Sequence, residues 1–315
     1  MSYEEFQHFS GKRCPSYSNG RLACDENGKI TAAEFDIGLD HGAYSWGGDD
    51  VMTKPSRFAF FPYKVPHVAG ITRVANTNHN YGVAYRSYGS PQAYTLSEPL
   101  VDMLAEKAGI DPFEFRWRNI ARTGDTNINS YPFKQYPMEE IMTKMRPFYE
   151  RAVKEAKEKD TPELRRGVGL SWGGFNVSEG PTDKATVYLE LNPDNTITKY
   201  DTWQELGQGG DIGSLMVTLE ALKPLRLKPN QIRLIQSDTK ICPDSGMSGG
   251  SRSHFMNGNA TKVAAEKILA AMRKPDGTFR TYEEMVKEGL PTKYEGTYMN
   301  VVTPGLCRLD PNTGI

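Results

Sequence analysis

Beyond residue 160 the sequence twice runs strand, glycine-rich loop, helix, and this order restricts where backbone amides can gather. "ATVYLELNPDNTITKYDTW" reads as two alternating strands joined by the turn Asn192–Asn195, and "GQGGDIGSLMVTLEALK" then turns into a helix. "QIRLIQSD" is a short strand, "SGMSGGSRSHFMNGNA" a glycine-rich loop, and "TKVAAEKILAAMRK" a helix with a clear apolar stripe. Glycines ahead of a helix let N–H groups approach an anion closely, and the helix dipole favours phosphate there. The spacing argues against a dinucleotide fingerprint, because Gly207, Gly209 and Gly213 sit one residue too wide and no acidic ribose ligand follows at the expected distance. Either loop alone could simply supply turn glycines for tight packing. Together, the second holding Ser248, Ser251, Ser253 and Arg252 as side-chain donors, they favour a phosphate-bearing cofactor.

The first half is organised differently. "RLACDENGKITAAEFDIGLDHGAY" places the turn Asp25–Gly28 between two partly alternating runs, a hairpin signal, and "FPYKVPHVAGITRVANTNHN" continues as extended chain. The first sixty residues therefore read as β-rich, without a helix. A helix is predicted from Ser97 as N-cap, with Leu100, Leu104 and Ala108 on one face and Gly109 as its stop. A second follows Asp111-Pro112, around "FEFRWRNIA", and a third runs from Met138 to Lys159. The polar stretch "TPELRRG" after it marks a domain boundary, giving domains 1–160 and 161–315. The ending "LCRLDPNTGI" reads as a strand and a turn. The fold class expected is α+β, mixed sheets with packed helices.

Composition narrows the partners. With 315 residues, 38% hydrophobic and 24% charged, there is material for a core in each domain, and a net charge of −1 lacks the basic footprint of a nucleic-acid binder. No apolar run approaches the roughly 20 residues that span a bilayer. The start lacks a signal peptide's basic and apolar regions, and Cys14, Cys24, Cys242 and Cys307 form no CxxC pair, so reduced thiols in a cytoplasmic protein are expected. Five scattered histidines offer no metal-ligand spacing, no G-x-S-x-G occurs, and Glu98, Asp102, Asp111 and Glu114 read as helix-end and surface charges. What remains is "AYRSYGSPQ", where Arg86 lies between Tyr85 and Tyr88. Its planar fork suits phosphate oxygens or the polar edge of a fused ring, and it suits equally a core carboxylate or an aromatic face.

"VANTNHNYGVAYRSYGSPQAYTLSEPLVDMLAEKAGIDPFEFRWRN" closely resembles the molybdenum-binding part of the xanthine oxidase and aldehyde oxidoreductase family, above all the bacterial aldehyde oxidoreductases. The likeness runs from about Gly11 to the last residue. It implies a partial pair of molybdopterin-binding domains, the C-terminal part of the first over 1–160 and the N-terminal part of the second over 161–315. It makes Ala84, Tyr85 and Arg86, Gly207, Gln208 and Gly209, and Gly249, Gly250, Ser251 and Arg252 the cofactor-contacting positions. Tyr88 matches a substrate-pocket aromatic and Phe175 a second one, with an ordinary core phenylalanine as the plainer alternative.

In that family the metal is held by the dithiolene sulfurs of the pterin with oxo, sulfido and hydroxo ligands, so no protein metal ligand is expected. Purine-oxidising relatives place a substrate-orienting arginine where this chain has Asn19, which favours an aldehyde. The chain departs from the family in lacking iron–sulfur cysteine motifs, a Gly-Gly-x-Phe-Gly loop and the ending that carries the catalytic glutamate. The resemblance thus implies the middle of a molybdenum hydroxylase, inactive alone. A glutamate base is expected beyond residue 315, and iron–sulfur clusters on other segments or a partner subunit. It leaves open a cytosine dinucleotide form of the pterin, a homodimer of the complete enzyme, a noncatalytic cofactor-binding subunit of a split complex, and a purine or other N-heterocycle as substrate.

Overall fold

A computed structural model describes residues 2–44, 48–130, 132–133, 136–175, 182–236 and 238–301. The chain divides into two compact units between Phe175 and Asn176, with residues 161–175 kept in the first. The predicted strand and turn at "LCRLDPNTGI", with Cys307, lie outside the described residues.

The first unit runs α1 (Tyr3–Phe9), β1 (Lys12–Arg13), β2 (Ser16–Cys24), β3 (Ile30–Gly42), α2 (Gly48–Phe58), β4 (His67–Asn76), β5 (Gly82–Val83), α3 (Ser90–Lys107), α4 (Pro112–Asn119) and α5 (Met138–Glu158). The hairpin read from Asp25–Gly28 forms: β2 and β3 pair antiparallel, and β4 adds to β3 in parallel. β3 turns Phe35, Ile37 and Leu39 inward, onto a core shared with Val51 and Phe58 of α2 and Ala93, Leu96, Val101 and Ala105 of α3.

Two helices stand where the first sixty residues read as β-rich. α1 is fixed by a Ser2–Glu5 capping box and spans only seven residues; Tyr3, Phe6 and Phe9 are three apart but all exposed, and so short a run gives little helical periodicity to read. α2 contains Pro55 and buries Lys54 between Val51 and Phe58, and both features mask a helical pattern. α3 begins at Ser90, so Ser97 is a fully buried mid-helix residue and not the N-cap. Leu100 and Leu104 flank the core while the inward stripe is Ala93, Leu96, Val101 and Ala105. The predicted stop holds, with Gly109 in the left-handed region at φ 65. α4 and α5 form as predicted, and Asp111 caps α4 through Phe113 N and Glu114 N.

The second unit runs β6 (Thr182–Leu191), β7 (Ile197–Tyr200), α6 (Gly210–Ala221), β8 (Ile232–Ile235), α7 (Gly258–Met272), α8 (Tyr282–Lys287) and β9 (Lys293–Val301). Its sheet has the order β8-β7-β6-β9, with β7 and β8 parallel and the other pairs antiparallel. α8 and β9 have no counterpart in the sequence reading. The stretch read as a loop up to Ala260 is already helical from Ser253, a π turn leading into α7.

α7 lies directly on the sheet, because Gly296 of β9 brings backbone against backbone: a Cβ there would collide with Ala260 O and Ala264 N. Gly296→Ala should therefore destabilise the chain by about 1–3 kcal/mol, the cost of overpacking a filled interior. Denaturant unfolding followed by circular dichroism checks this, and an unchanged midpoint would show that the helix can move away freely.

Candidate cofactor-binding site

Arg86 sits in a turn between β5 and α3. β5 pairs with β1, and Ala84, Tyr85 and Arg86 follow it, exposed. Ser87 is left-handed at φ 60, and Gly89, the N-cap of α3, at φ 78. A Cβ on Gly89 would collide with Lys54, so glycine is required there twice over. Ser90 N donates to Ser87 O at 3.1 Å and closes the turn. The Arg86 guanidinium meets no acceptor and no carboxylate among the described residues. The aromatic stacking allowed for Arg86 belongs instead to Arg13, whose guanidinium lies 4.9 Å from the Tyr85 ring centre while Nη2 donates to Arg86 O at 2.6 Å.

Tyr88 and Phe175 come together. Their rings meet edge to face at 6.4 Å, and Phe175 stacks on Phe58 at 5.1 Å. Lys54, only 3% exposed, places its ammonium 5.2 Å from the Tyr88 ring centre and 5.9 Å from that of Phe175. Asn19 is not with them: it is exposed on β2 opposite Asp36, while its neighbour Gly20 faces Leu96 and Leu100 of α3.

The segment that carries Phe175 is pinned from below. Tyr94 Oη donates to Gly174 O at 2.9 Å and accepts from Gly174 N at 2.8 Å, and Trp172 N donates to Glu98 Oε2 at 2.8 Å. Glu98 is thus no surface charge: it is 5% exposed, paired with the fully buried Arg116 at 3.0 Å, and receives the Tyr63 hydroxyl at 2.8 Å. Burial pushes its carboxyl pKa up, against the pull of Arg116. Asp102 takes Arg116 Nη1 at 2.6 Å, and Glu114 pairs with Arg146, so only part of this acidic group matches the surface reading.

In the second unit the two glycine-rich loops run side by side. Thr202 N donates to Ser245 Oγ at 3.1 Å, and Ser245 N returns to Thr202 Oγ1 at 3.0 Å. Gln204 N donates to Ser248 Oγ at 3.0 Å, and Ser248 Oγ is also met by Ser253 Oγ at 2.8 Å. Beneath them Lys199 and Asp201, both fully buried, pair at 2.9 Å with Ser214 as a third partner. Burial lowers the Lys199 pKa, against the attraction of Asp201. Asp201 also accepts Trp203 N, and Trp203 packs on Gly210 and Gly213 at the start of α6.

The loop donors divide into used and unused. Gly207 and Gly209 are left-handed at φ 93 and 84 with open space around them. The Glu205 carboxylate takes Gly207 N at 2.6 Å, Gly209 N at 3.1 Å and Asp211 N at 3.0 Å, while Gln208 bonds within its own loop through Leu206 N and Gln204 O. In the second loop the three nitrogens of the buried Arg252 side chain all bond inward, to Asp183, Lys184 O, Ser245 O and Met247 O. Gly249 N also bonds within the loop, to Met247 O. Gly250 and Ser251, left-handed at φ 52 and 57, have amides with no acceptor among the described residues. Two successive amides of this kind form a small anion-receiving concavity.

A molybdopterin cofactor-binding domain model matches residues 1–120 and a second one residues 143–306. The chain therefore belongs to the molybdopterin cofactor-binding domain family. Over 314 residues it is 38% identical to the aldehyde oxidoreductase of Megalodesulfovibrio gigas, covering 100% of this chain and 34% of that one. The xanthine dehydrogenase molybdenum-binding subunit of Escherichia coli O157:H7 is 28% identical, over 80% of this chain and 34% of its own length. The solved structure of the Desulfovibrio gigas aldehyde oxidoreductase superposes with a TM-score of 0.92 at 37% identity, covering 100% of this chain and 34% of that chain. That from Desulfovibrio desulfuricans ATCC 27774 gives 0.87 at 41% identity, covering 95% and 33%. The chain thus spans about a third of these relatives' length. Within each unit the donors fit such a cofactor: the Arg86 guanidinium in the first, and the Gly250 and Ser251 amides in the second, have no partner among the described residues and suit phosphate or pterin oxygens. Among the described residues no group of His, Cys, Asp or Glu is placed to hold a metal ion. Nor is any described helix long and apolar enough to cross a membrane.

Sequence reasoning did not find Arg13, Lys54 or Glu205. Glu205 has a testable signature. Its amide donors, Asp211 N first, hold its carboxyl pKa below the ordinary 4.5, so its contribution is complete above that value and is lost as pH falls through the lowered one. The melting temperature of the wild type should exceed that of Glu205→Gln near neutrality, and the gap should close on acidification from about pH 5 to about pH 3. Thermal unfolding across that range decides it, and a gap that stays constant with pH would mean that the charge of Glu205 does not hold the loop.

Proposed function

We propose that this chain is the molybdopterin-binding part of a molybdenum hydroxylase that oxidises aldehydes to carboxylic acids with water as oxygen source. The observation that carries the reading is the unpaired Arg86 fork on a strained turn, in a chain that matches aldehyde oxidoreductase from end to end. In the first unit Ala84, Tyr85 and Arg86 bind the cofactor, the guanidinium taking its oxygens. In the second unit Gly207, Gln208, Gly209, Gly249, Gly250 and Ser251 bind it, with open donors at Gly250 and Ser251. Arg252 belongs to this set by fixing the second loop's path from within. When bound, the molybdenum–molybdopterin supplies the centre at which water oxygen reaches the aldehyde carbon while two electrons and two protons leave.

Tyr88 and Phe175 form an aromatic wall that orients the aldehyde and excludes water, backed by Lys54. The aldehyde reading rests on the likeness to aldehyde oxidoreductase and not on Asn19, which stands apart from Tyr88 and Phe175. The cytosine dinucleotide form of the pterin, electron exit through iron–sulfur clusters on other segments or a partner subunit, a cytoplasmic location and a homodimer complete the proposal.

In a complete enzyme, Arg86→Ala should leave cofactor oxygens unpaired, lowering molybdenum occupancy by the equivalent of about 1–3 kcal/mol while the fold persists. Metal analysis by mass spectrometry beside circular dichroism measures this, and full occupancy with unchanged turnover would remove Arg86 from the site. The same wild-type enzyme should turn over benzaldehyde or acetaldehyde faster than hypoxanthine, and the reverse order would give the pocket to N-heterocycles.

A further inference from the structure

The turn that presents Arg86 lacks the support its geometry calls for within its own sequence. Ser87 is left-handed at φ 60 without being glycine, a conformation that persists only where surroundings enforce it. On the far side Gly89 wedges against Lys54 and Ser90 N bonds Ser87 O. On the near side Arg13, at the end of β1, provides the hold. Its Nη2 donates to Arg86 O at 2.6 Å, and its guanidinium lies over the Tyr85 ring, 4.9 Å from the centre. Its other nitrogen, Nη1, is buried and meets no acceptor among the described residues. β1 and β5 are paired with Arg13 opposite Val83, so the guanidinium is delivered to the residues that follow Val83.

We propose that Arg13 is a positioning residue for cofactor binding, holding the Ala84–Ser87 turn by its carbonyl and its tyrosine so that the Arg86 fork is aimed outward. This rests on the reading that the turn binds molybdopterin. Arg13 does not touch the reacting atoms; it acts through Arg86 and Tyr85. Lysine in its place would keep a cation over Tyr85 but lose the fork that reaches the carbonyl.

The carbonyl that Arg13 holds is the one trypsin must attack to cut between Arg86 and Ser87, so cleavage there reports the turn directly. In the 315-residue chain, Arg13→Met should speed this cut about tenfold, the loss of one charge-assisted hydrogen bond, with Arg13→Lys between the two. Cleavage after the exposed Arg226 of the second unit should not change, which separates local loosening from unfolding. In a complete enzyme Arg13→Met should carry less molybdenum than the wild type, and Arg13→Lys should recover part of it. An unchanged rate at Arg86–Ser87 would overturn the hold on the turn. A loosened turn with full molybdenum would overturn its use in cofactor binding. Full molybdenum in Arg86→Ala, by contrast, would defeat the underlying reading of the turn and not Arg13's grip on it.

Discussion

The first unit depends on one guanidinium with no access to water. Arg116, fully buried on α4, meets Glu98 of α3 at 3.0 Å and Asp102 at 2.6 Å, and Glu98 in turn gathers the Tyr63 hydroxyl and the Trp172 amide. Desolvating such a pair costs much of what its attraction gives back, so its presence argues less for net stability than for a fixed geometry. Removing Arg116 would leave Glu98 in the interior without a counter-charge, while removing Glu98 would leave Arg116 with only Asp102. The geometry it fixes is that of the segment ending in Phe175, which Tyr94 also grips at both atoms of the Gly174 peptide. The Tyr88–Phe175 ring pair thus stands on a polar foundation in α3 and α4.

The second unit solves the same problem with another buried pair, Lys199 and Asp201, at the root of its first glycine-rich loop. Trp203 extends the pair to α6, where Gly210 and Gly213 leave room for the indole. Arg252 ties the second loop to Asp183 on β6. Each loop is therefore set by inward polar contacts, and the donors that remain open, at Gly250 and Ser251, are few and fixed. A ligand meeting them finds amides that need no rearrangement, which is the condition under which backbone dipoles bind anions well.

What could be read in the sequence follows from the range of the interactions. Strands β2, β3, β6, β7 and β8 and helices α4 to α7 announce themselves through local alternation, apolar stripes and turn residues, and all stand close to their predicted places. α2 and the first turns of α3 do not, because their inward positions carry Lys54, Ser90, Gln92, Ser97 and Glu98. Some of those groups find their partners far off in the chain: Gln92 Nε2 reaches Cys14 O, 78 positions away, and Glu98 receives Trp172 N. Arg86 was legible as a candidate because its neighbours are unusual, whereas Arg13, 73 positions distant, has no local mark at all. Glycine spacing likewise pointed to the two loops, but the role of Arg252 inside its loop depends on Asp183, Lys184 and Ser245, which only the fold brings to it.

The central claim is that these particular loops hold molybdopterin. The most direct measurement is a crystal structure of the complete protein with anomalous data at the molybdenum edge. The account predicts a cofactor with oxygen acceptors within hydrogen-bonding distance of the Arg86 guanidinium and of the Gly250 and Ser251 amides, and the metal free of protein ligands from this chain. A cofactor that leaves Arg86, Gly250 and Ser251 all in solvent, or a metal ligated by one of this chain's side chains, would contradict it.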